Sequence, residues 1–409
     1  GFGQAVKDIS MKGIFMEKSL KKDIIINRLP VVIYFILIFA ALMVIISAVA
    51  PMSNHEPKTT DTYSDFSTGW LNCEESEASL DHLSGTTVIH RTITAADCNK
   101  TLFFFAKTSN IKVFIDGVCQ YRNNHFCSQF FGKTPGALFV NVLIPAESDG
   151  KLLEIEIENP YKDDDSAKLD EMYIGDISDI IQFQQQKRFN SFCISFIIMV
   201  LGVVMLLLFI PLTRQKIVGI EFLNLGVTAF VSGLYLTTDG RYLQLVFGDA
   251  HIYHVIAETA LRLSILPFLI FLSQMYESYS KRISAILCVI GEIAFAGCFI
   301  GEITEIMDYH ETLFLVHVVF AISMLFILVS TIKGIVKAPK ENIYHNIGCI
   351  VLSFMAMTDI IILWRGTGRE TSYFIRLGIL IFFFMEIVQI IKKFLASYQR
   401  NIKNELLSR

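Results

Sequence analysis

The chain has 409 residues, 53% of them hydrophobic, with 34 phenylalanines. That content excludes intrinsic disorder and is too apolar for an ordinary soluble protein. The formal net charge is only −4, so charge points to no nucleic-acid partner, and the placement of the charges becomes the informative feature.

Residues 1–28 form a basic N-terminus carrying Lys18, Lys21, Lys22 and Arg28, with Met11 or Met16 as a candidate natural start. The apolar run from Leu29 to Ala50 predicts a signal-anchor transmembrane helix over 29–50. Small residues at Ser47-Ala48-Val49-Ala50 keep cleavage open as the alternative. In both cases the basic cluster is expected in the cytoplasm and the following segment outside.

Residues 51–188 read as an extracytoplasmic all-β sandwich. Lys151 to Glu158 alternates strictly, with Leu153, Ile155 and Ile157 on one face and Glu154, Glu156 and Glu158 on the other. Ile111 to Ile115 enters an Asp116-Gly117 turn, and Val118 to Tyr121 returns as its hairpin partner. Thr86 to Ile93, Leu102 to Ala106 and Phe139 to Ile144 are further strands, and no helical period appears before Ile177. A two-layer antiparallel sandwich buries such strands.

Four cysteines fall in this domain: Cys73, Cys98, Cys119 and Cys127. One or two disulfides are expected outside a cell, with free thiols as the alternative. CxxC is absent and no metal site or cofactor is expected. Asp163-Asp164-Asp165 lacks the oxygen spacing of a calcium loop and reads as a solvated turn. Trp70, Phe114 and Tyr121, with Phe104 and Phe131, are candidates for an aromatic platform under a sugar, core packing being the alternative for each.

Residues 189–395 hold seven apolar runs, placed at Phe192–Leu212, Ile217–Thr238, His254–Tyr276, Ile283–Ile303, Thr312–Ile332, Ile343–Trp364 and Tyr373–Leu395. Each is near the roughly 20 residues that cross a bilayer as a helix. Arg214, Lys216, Lys281, Arg282, Lys333, Lys337 and Lys340 fall in alternate breaks, whereas the other breaks carry Arg241, then no Lys or Arg between Ile303 and Thr312, then Arg365 and Arg369. By the positive-inside rule this predicts a multi-pass plasma-membrane protein with both termini cytoplasmic. Gly219, Gly226 and Gly233, and the pair Gly297 and Gly301, predict close helix packing.

Charged side chains in spans are costly and default to functional candidates. His254, Glu258 and Arg262 lie at i, i+4 and i+8, in the order that favours an ion pair. With Glu302, His317, Asp359 and Arg376, and with Asp239, Arg241 and Arg365 at the rim, they are expected at one depth beneath the outside domain. The belt reads either as a buried network docking the helices or as a pocket lining. Glu221, Glu292 and Glu386 lie deeper and form no series that marks an ion path. No HExxH, GxSxG, Walker or SxxK arrangement is present, so no catalytic residue is assigned.

Past Leu395 the pattern continues. Ile391, Leu395, Tyr398, Ile402 and then Glu405 or Leu406 step at coiled-coil spacing. This predicts a cytoplasmic coiled-coil linker over 396–409 that pairs two chains as a homodimer, or else an amphipathic tail on anionic lipid. Ser408-Arg409 stops inside that pattern, and a further output domain is expected beyond it.

This order of parts resembles the bacterial seven-transmembrane receptors with diverse intracellular signalling modules. The stretch Gly233-Leu-Tyr-Leu-Thr-Thr-Asp-Gly-Arg-Tyr-Leu-Gln-Leu-Val-Phe-Gly248, followed by Leu263-Ser-Ile-Leu-Pro-Phe-Leu269, is similar to the same region in clostridial members. Val113 to Tyr121 and Val142 to Tyr161 are similar to the jelly-roll, galactose-binding-like domains those proteins carry. The resemblance implies a sensor of a small extracytoplasmic ligand, such as a carbohydrate or carboxylate. It also implies an output beyond Arg409, usually a GGDEF diguanylate cyclase making cyclic di-GMP, or a histidine kinase. It carries over no ligand residue. A transporter or membrane-embedded transferase with an accessory β-domain is the alternative, and a structural scaffold the third reading.

Overall fold

The computed structural model describes residues 62–123, 136–161, 167–214, 218–275, 278–337, 342–364 and 372–408. The expected signal anchor, Cys127, Phe131, Asp163-Asp164-Asp165 and Arg365 lie outside them. The described residues form two compact units, one of residues 62–211 and 218–323, the other of 212–214 and 324–408.

The first unit opens with nine strands: β1 Tyr63–Asp65, β2 Leu71–Asn72, β3 Thr86–Thr92, β4 Thr101–Lys107, β5 Asn110–Ile115, β6 Val118–Arg122, β7 Ala137–Leu143, β8 Leu152–Glu158 and β9 Lys168–Gly175. They make a four-stranded sheet, β1-β9-β4-β7, and a five-stranded sheet, β2-β3-β8-β5-β6. Every pairing is antiparallel. Ile89, Val113, Ile155 and Ile157 from one sheet and Leu102, Phe104, Val140 and Ile174 from the other share a single core. Each such side chain contributes roughly 1.5–3 kcal/mol by leaving water. The alternation in β8 sets its register, with all three glutamates off the core face.

Trp70 is part of that core. It is 1% exposed and its indole N–H donates to Phe66 O at 2.8 Å, so its ring offers no face to a ligand. Phe104 is likewise fully enclosed. Cys73, Cys98 and Cys119 are free thiols.

β4 is apolar on both sides, as the run Leu102-Phe-Phe-Phe-Ala106 requires. Leu102, Phe104 and Ala106 enter the sandwich core, while Phe103 and Phe105 are buried on the sheet's other face. Phe103 and Phe105 both meet Phe139 of β7 at 5.4 Å between ring centroids. Helices cover this face.

Those helices are α1 Ile177–Arg214, α2 Ile220–Asp239, α3 Tyr242–Phe247, α4 Ala250–Met275, α5 Ser278–Ile303, α6 Leu313–Lys337, α7 Ile343–Trp364 and α8 Tyr373–Ser408. All but the six-residue α3 are long and apolar enough to cross a bilayer, so seven helices fit a multi-pass membrane protein. Six of the nine strands fall where the alternation places them; β1, β2 and β9 were not predicted. The first helix begins at Ile177, inside the stretch assigned to the sandwich up to residue 188. Its first three turns are too polar for lipid, and they pack on the sheet instead. α8 continues past Leu395 to Ser408 in one piece.

Gly233 serves the predicted close packing, because a Cβ there would stand 2.3 Å from Met199 N on α1. Gly297 does not; among the described residues a Cβ there would meet nothing within 4 Å. Gly301 does meet a neighbour, the Met307 carbonyl oxygen, 3.2 Å from where its Cβ would stand.

Candidate functional site

The chemistry of the first unit concentrates where the sandwich meets the helix ends. Three features build this junction: a welded α1, a polar hub in the α5–α6 turn, and a cavity.

The weld starts from an irregularity in β9. Its pairing with β4 slips between Phe103 and Phe105, so that two residues of β9 oppose one of β4. Glu171 occupies the bulge with φ of +52°. A bulge re-aims a side chain, and here the Glu171 carboxylate meets Arg188 and Lys187 of α1, each at 2.6 Å. Burial alone would push the Glu171 carboxyl up. The Arg188 guanidinium and the Lys187 ammonium more than reverse this, and hold it below its ordinary value. Arg188 also lies over the Phe139 ring at 4.9 Å and donates to Gln184. Phe183 packs on Tyr63 and Tyr173, and the Asp176 carboxylate accepts from the Ser178 N–H at the helix start.

The hub is the turn 304–312. Asp308 and Glu311 cap each other's backbone N–H groups at 2.9 and 3.0 Å, the reciprocal geometry of a capping box. Tyr161, from the loop after β8, donates its hydroxyl to the Asp308 carboxylate and lays its ring 4.4 Å from that of His310. Burial and the neighbouring Asp308 push the Tyr161 phenol above its ordinary value, so it stays a donor. From α4, Arg262 pairs with Glu258 at 2.6 Å, donates to Tyr309 O at 2.6 Å and to Thr312 Oγ1 at 3.2 Å, and covers the Tyr309 ring. Glu302, 2% exposed at the end of α5, accepts from the Tyr309 backbone N–H.

Four members of the predicted belt lie together here. Glu258, Arg262 and Glu302 converge on Tyr309, and His317 stands within electrostatic reach of Glu258 and Arg262. His254 packs against the backbone of Gly136, just before β7; a Cβ at Gly136 would lie 2.5 Å from His254 Cγ. Arg241 sits over the Phe105 ring at 4.1 Å, and Asp239 closes α2 one residue before the turn. Asp359 and Arg376 belong to the other unit. There the Asp359 carboxylate accepts from the backbone N–H groups of Phe374 and Ile375 at 3.3 and 2.6 Å, at the start of α8. Arg376 is buried beside it.

A cavity of about 400 Å³ opens between the four-stranded sheet, β6 and the helix ends. Tyr121, Arg122 and Asn123 line one wall, Phe139 and Asn141 another, and Gln244 and His251 the helical side. Gln244 of α3, with its amide turned to satisfy both groups, donates to Ala137 O and accepts from Phe139 N, covering the edge strand β7. Of the three aromatic candidates, only Tyr121 reaches the cavity. Phe114 alternates with the core residues Val113 and Ile115, and so stands on the sheet's outer face.

Compared with known proteins, the chain matches no family model, no curated protein and no solved structure. The functional reading therefore rests on the geometry.

Tyr161, Asp308 and Gln244 were missed in the sequence because they lie outside the apolar runs, in stretches with no period. A second cluster was missed for another reason. His345 and Cys349, one turn apart on α7, face Glu386 of α8, and all three are buried. No paired-cysteine motif marks this set, because its members come from two helices, with 37 positions between Cys349 and Glu386.

Proposed function

We propose that the chain is the sensing part of a membrane signal-transduction receptor, with an extracytoplasmic jelly-roll-like sandwich that takes a small ligand. The observation that carries this reading is the cavity, whose walls come from both the sandwich and the helix ends. A ligand seated there touches both, so its binding free energy changes with their arrangement, which is the requirement for shifting a conformational equilibrium. A cavity on the far side of the sandwich would bind without that leverage.

The lining fits a carbohydrate or a small carboxylate. Tyr121 supplies an aromatic face, Asn123, Asn141 and Gln244 supply amides that both donate and accept, and Arg122 supplies a cation for a carboxylate. Displacement at the cavity reaches the spans along α1, which continues from β9 into the bilayer, and through the Tyr161–Asp308 hub. An odd number of spans, seven, supports a far membrane face for the end of α8. The charge distribution between spans supports the cytoplasm as that face. There the stripe Ile391, Leu395, Tyr398 and Ile402 pairs two copies and passes the change to an output module of the diguanylate cyclase or kinase class.

The test is a thermal-shift screen of the full chain in detergent against saccharides and small organic carboxylates. A ligand at 100 times its Kd stabilises by about 2.7 kcal/mol, and the shift should vanish in Tyr121→Ala and Asn141→Ala. A panel without any shift, together with solute flux in proteoliposomes that is lost in Glu292→Gln, would favour the transporter reading instead.

A further inference from the structure

We infer that His345, Cys349 and Glu386 form a binding site for one divalent transition-metal ion of the zinc class. The three side chains are 2%, 0% and 1% exposed, and their ligating atoms all lie within 4.8 Å of one another. An imidazole, a thiol and a carboxylate are the donors zinc takes, and the set is unusual in an apolar helix pair. Phe382 and Phe383 of α8 and Leu352 of α7 are buried in the same unit and help make it apolar.

The spacing suits an ion. Cys349 Sγ is 3.6 Å from His345 Nε2 and 3.9 Å from Nδ1. Tetrahedral ligands at about 2.0–2.3 Å from zinc stand roughly 3.3–3.8 Å apart, so the sulfur is already close to its place. Glu386 Oε1 lies 2.5 Å from Nδ1, a hydrogen bond with a proton between the two atoms. Metal replaces that proton: the carboxylate withdraws by somewhat under an ångström, the imidazole nitrogen and the carboxylate oxygen each bind the ion, and the thiol ionises to thiolate. From the imidazolium–carboxylate form of the pair, in which the ring keeps its Nε2 proton, the Nδ1 proton and the thiol proton leave to solvent as one dication enters, and the net charge of the buried site is unchanged. The fourth position falls to water; Gln389 follows Glu386 by three residues on α8. Its Oε1 is buried without a hydrogen-bond partner, while its Nε2 donates to Asn342 at 2.9 Å.

The apolar surroundings make the ion more than an ornament of the helix pair. Left metal-free, the site holds a buried histidine–carboxylate contact and a thiol. Filled, it staples α7 to α8 where α8 runs on toward Ser408.

The experiment loads the full chain, purified in detergent after chelation, with cobalt(II). The expected result is one equivalent retained after desalting, visible d–d bands of four-coordinate strength, and a near-ultraviolet thiolate-to-cobalt band, all displaced by zinc. Cys349→Ser should abolish the thiolate band. Glu386→Gln should weaken retention by more than the roughly 10–100-fold that loss of a supporting residue costs. Helicity and elution volume identify any variant that fails to fold, and Cys349→Ala serves in place of Cys349→Ser if the latter does. Retention well below one equivalent would overturn the site. So would a thiolate band that survives in both Cys349 variants, because the metal would then sit on other thiols such as the exposed Cys73 and Cys119.

Discussion

Tyr161 donates its hydroxyl to the Asp308 carboxylate, and that bond joins the sandwich to the turn between α5 and α6. Both residues are buried, at 6% and 4% exposure. Removing the phenol hydroxyl takes away one hydrogen bond to the Asp308 carboxylate, which still accepts from the Glu311 N–H, at a cost of about 1.5–3 kcal/mol for a bond to a charged group. Tyr161→Phe should therefore loosen the junction while leaving both bodies folded. Hydrogen exchange should rise in the turn 304–312 and stay unchanged in β3, β5 and β8. Equal exchange in the turn of the two proteins would show that the bond is dispensable.

The weld between β9 and α1 predicts a pH response with a definite sign. The Glu171 carboxyl is held below its ordinary 4.5 by Arg188 and Lys187. Its contribution is complete above that ordinary value and is lost as pH falls through the lowered, folded one. The melting temperature in detergent should thus drop below about pH 4.5, and the drop should shrink in Glu171→Gln. Arg188→Ala removes one of the two cations on Glu171 and leaves Lys187, so it should destabilise at neutral pH by less than the roughly 3–5 kcal/mol of a fully stranded buried charge. A melting temperature in Glu171→Gln with the same acid limb as the parent would remove Glu171 from this role.

Gly136 is constrained twice, by φ of +78° and by the His254 ring 2.5 Å from where a Cβ would sit. Gly136→Ala should destabilise by the roughly 1–2 kcal/mol of a left-handed L-residue plus the overlap. His254→Ala should recover the overlap and leave the backbone cost, a coupling that a double-mutant cycle measures. Strict additivity of the two substitutions would mean that the strand and α4 do not press on each other.

Much of this architecture is legible in the sequence, and the exceptions have physical causes. β8 and β5 could be read because one face of each is buried, so apolar and polar residues alternate. β9 could not, because its bulge spaces the core residues Leu169, Met172 and Ile174 by three and then two. β1 and β2 are too short, at three and two residues, to show any period. Length and hydropathy alone gave the seven helices, since lipid demands both. The pair Glu258 and Arg262 was visible as an i, i+4 spacing. Its acceptor, the Tyr309 carbonyl, was not, because a backbone group in a turn carries no residue signature. Trp70 shows the reverse error: an aromatic residue read as a platform fills the core, and composition alone does not separate the two.

The cavity predicts a division of labour among its walls. Asn141→Ala and Gln244→Ala should each weaken a ligand found by the thermal screen, because they face it from opposite sides. Only Gln244→Ala should also raise hydrogen exchange in β7, whose edge it covers. Loss of affinity in neither variant would place the ligand elsewhere.

Transmission from the sandwich to the end of α8 requires the two to face different compartments. Labelling of intact cells with a membrane-impermeant maleimide measures this directly. Cys73 and Cys119, exposed thiols of the sandwich, should react at once. A cysteine placed by Ser408→Cys in a chain whose eight natural cysteines are replaced by serine should react only after the membrane is permeabilised. Equal reaction of both in intact cells would contradict the account.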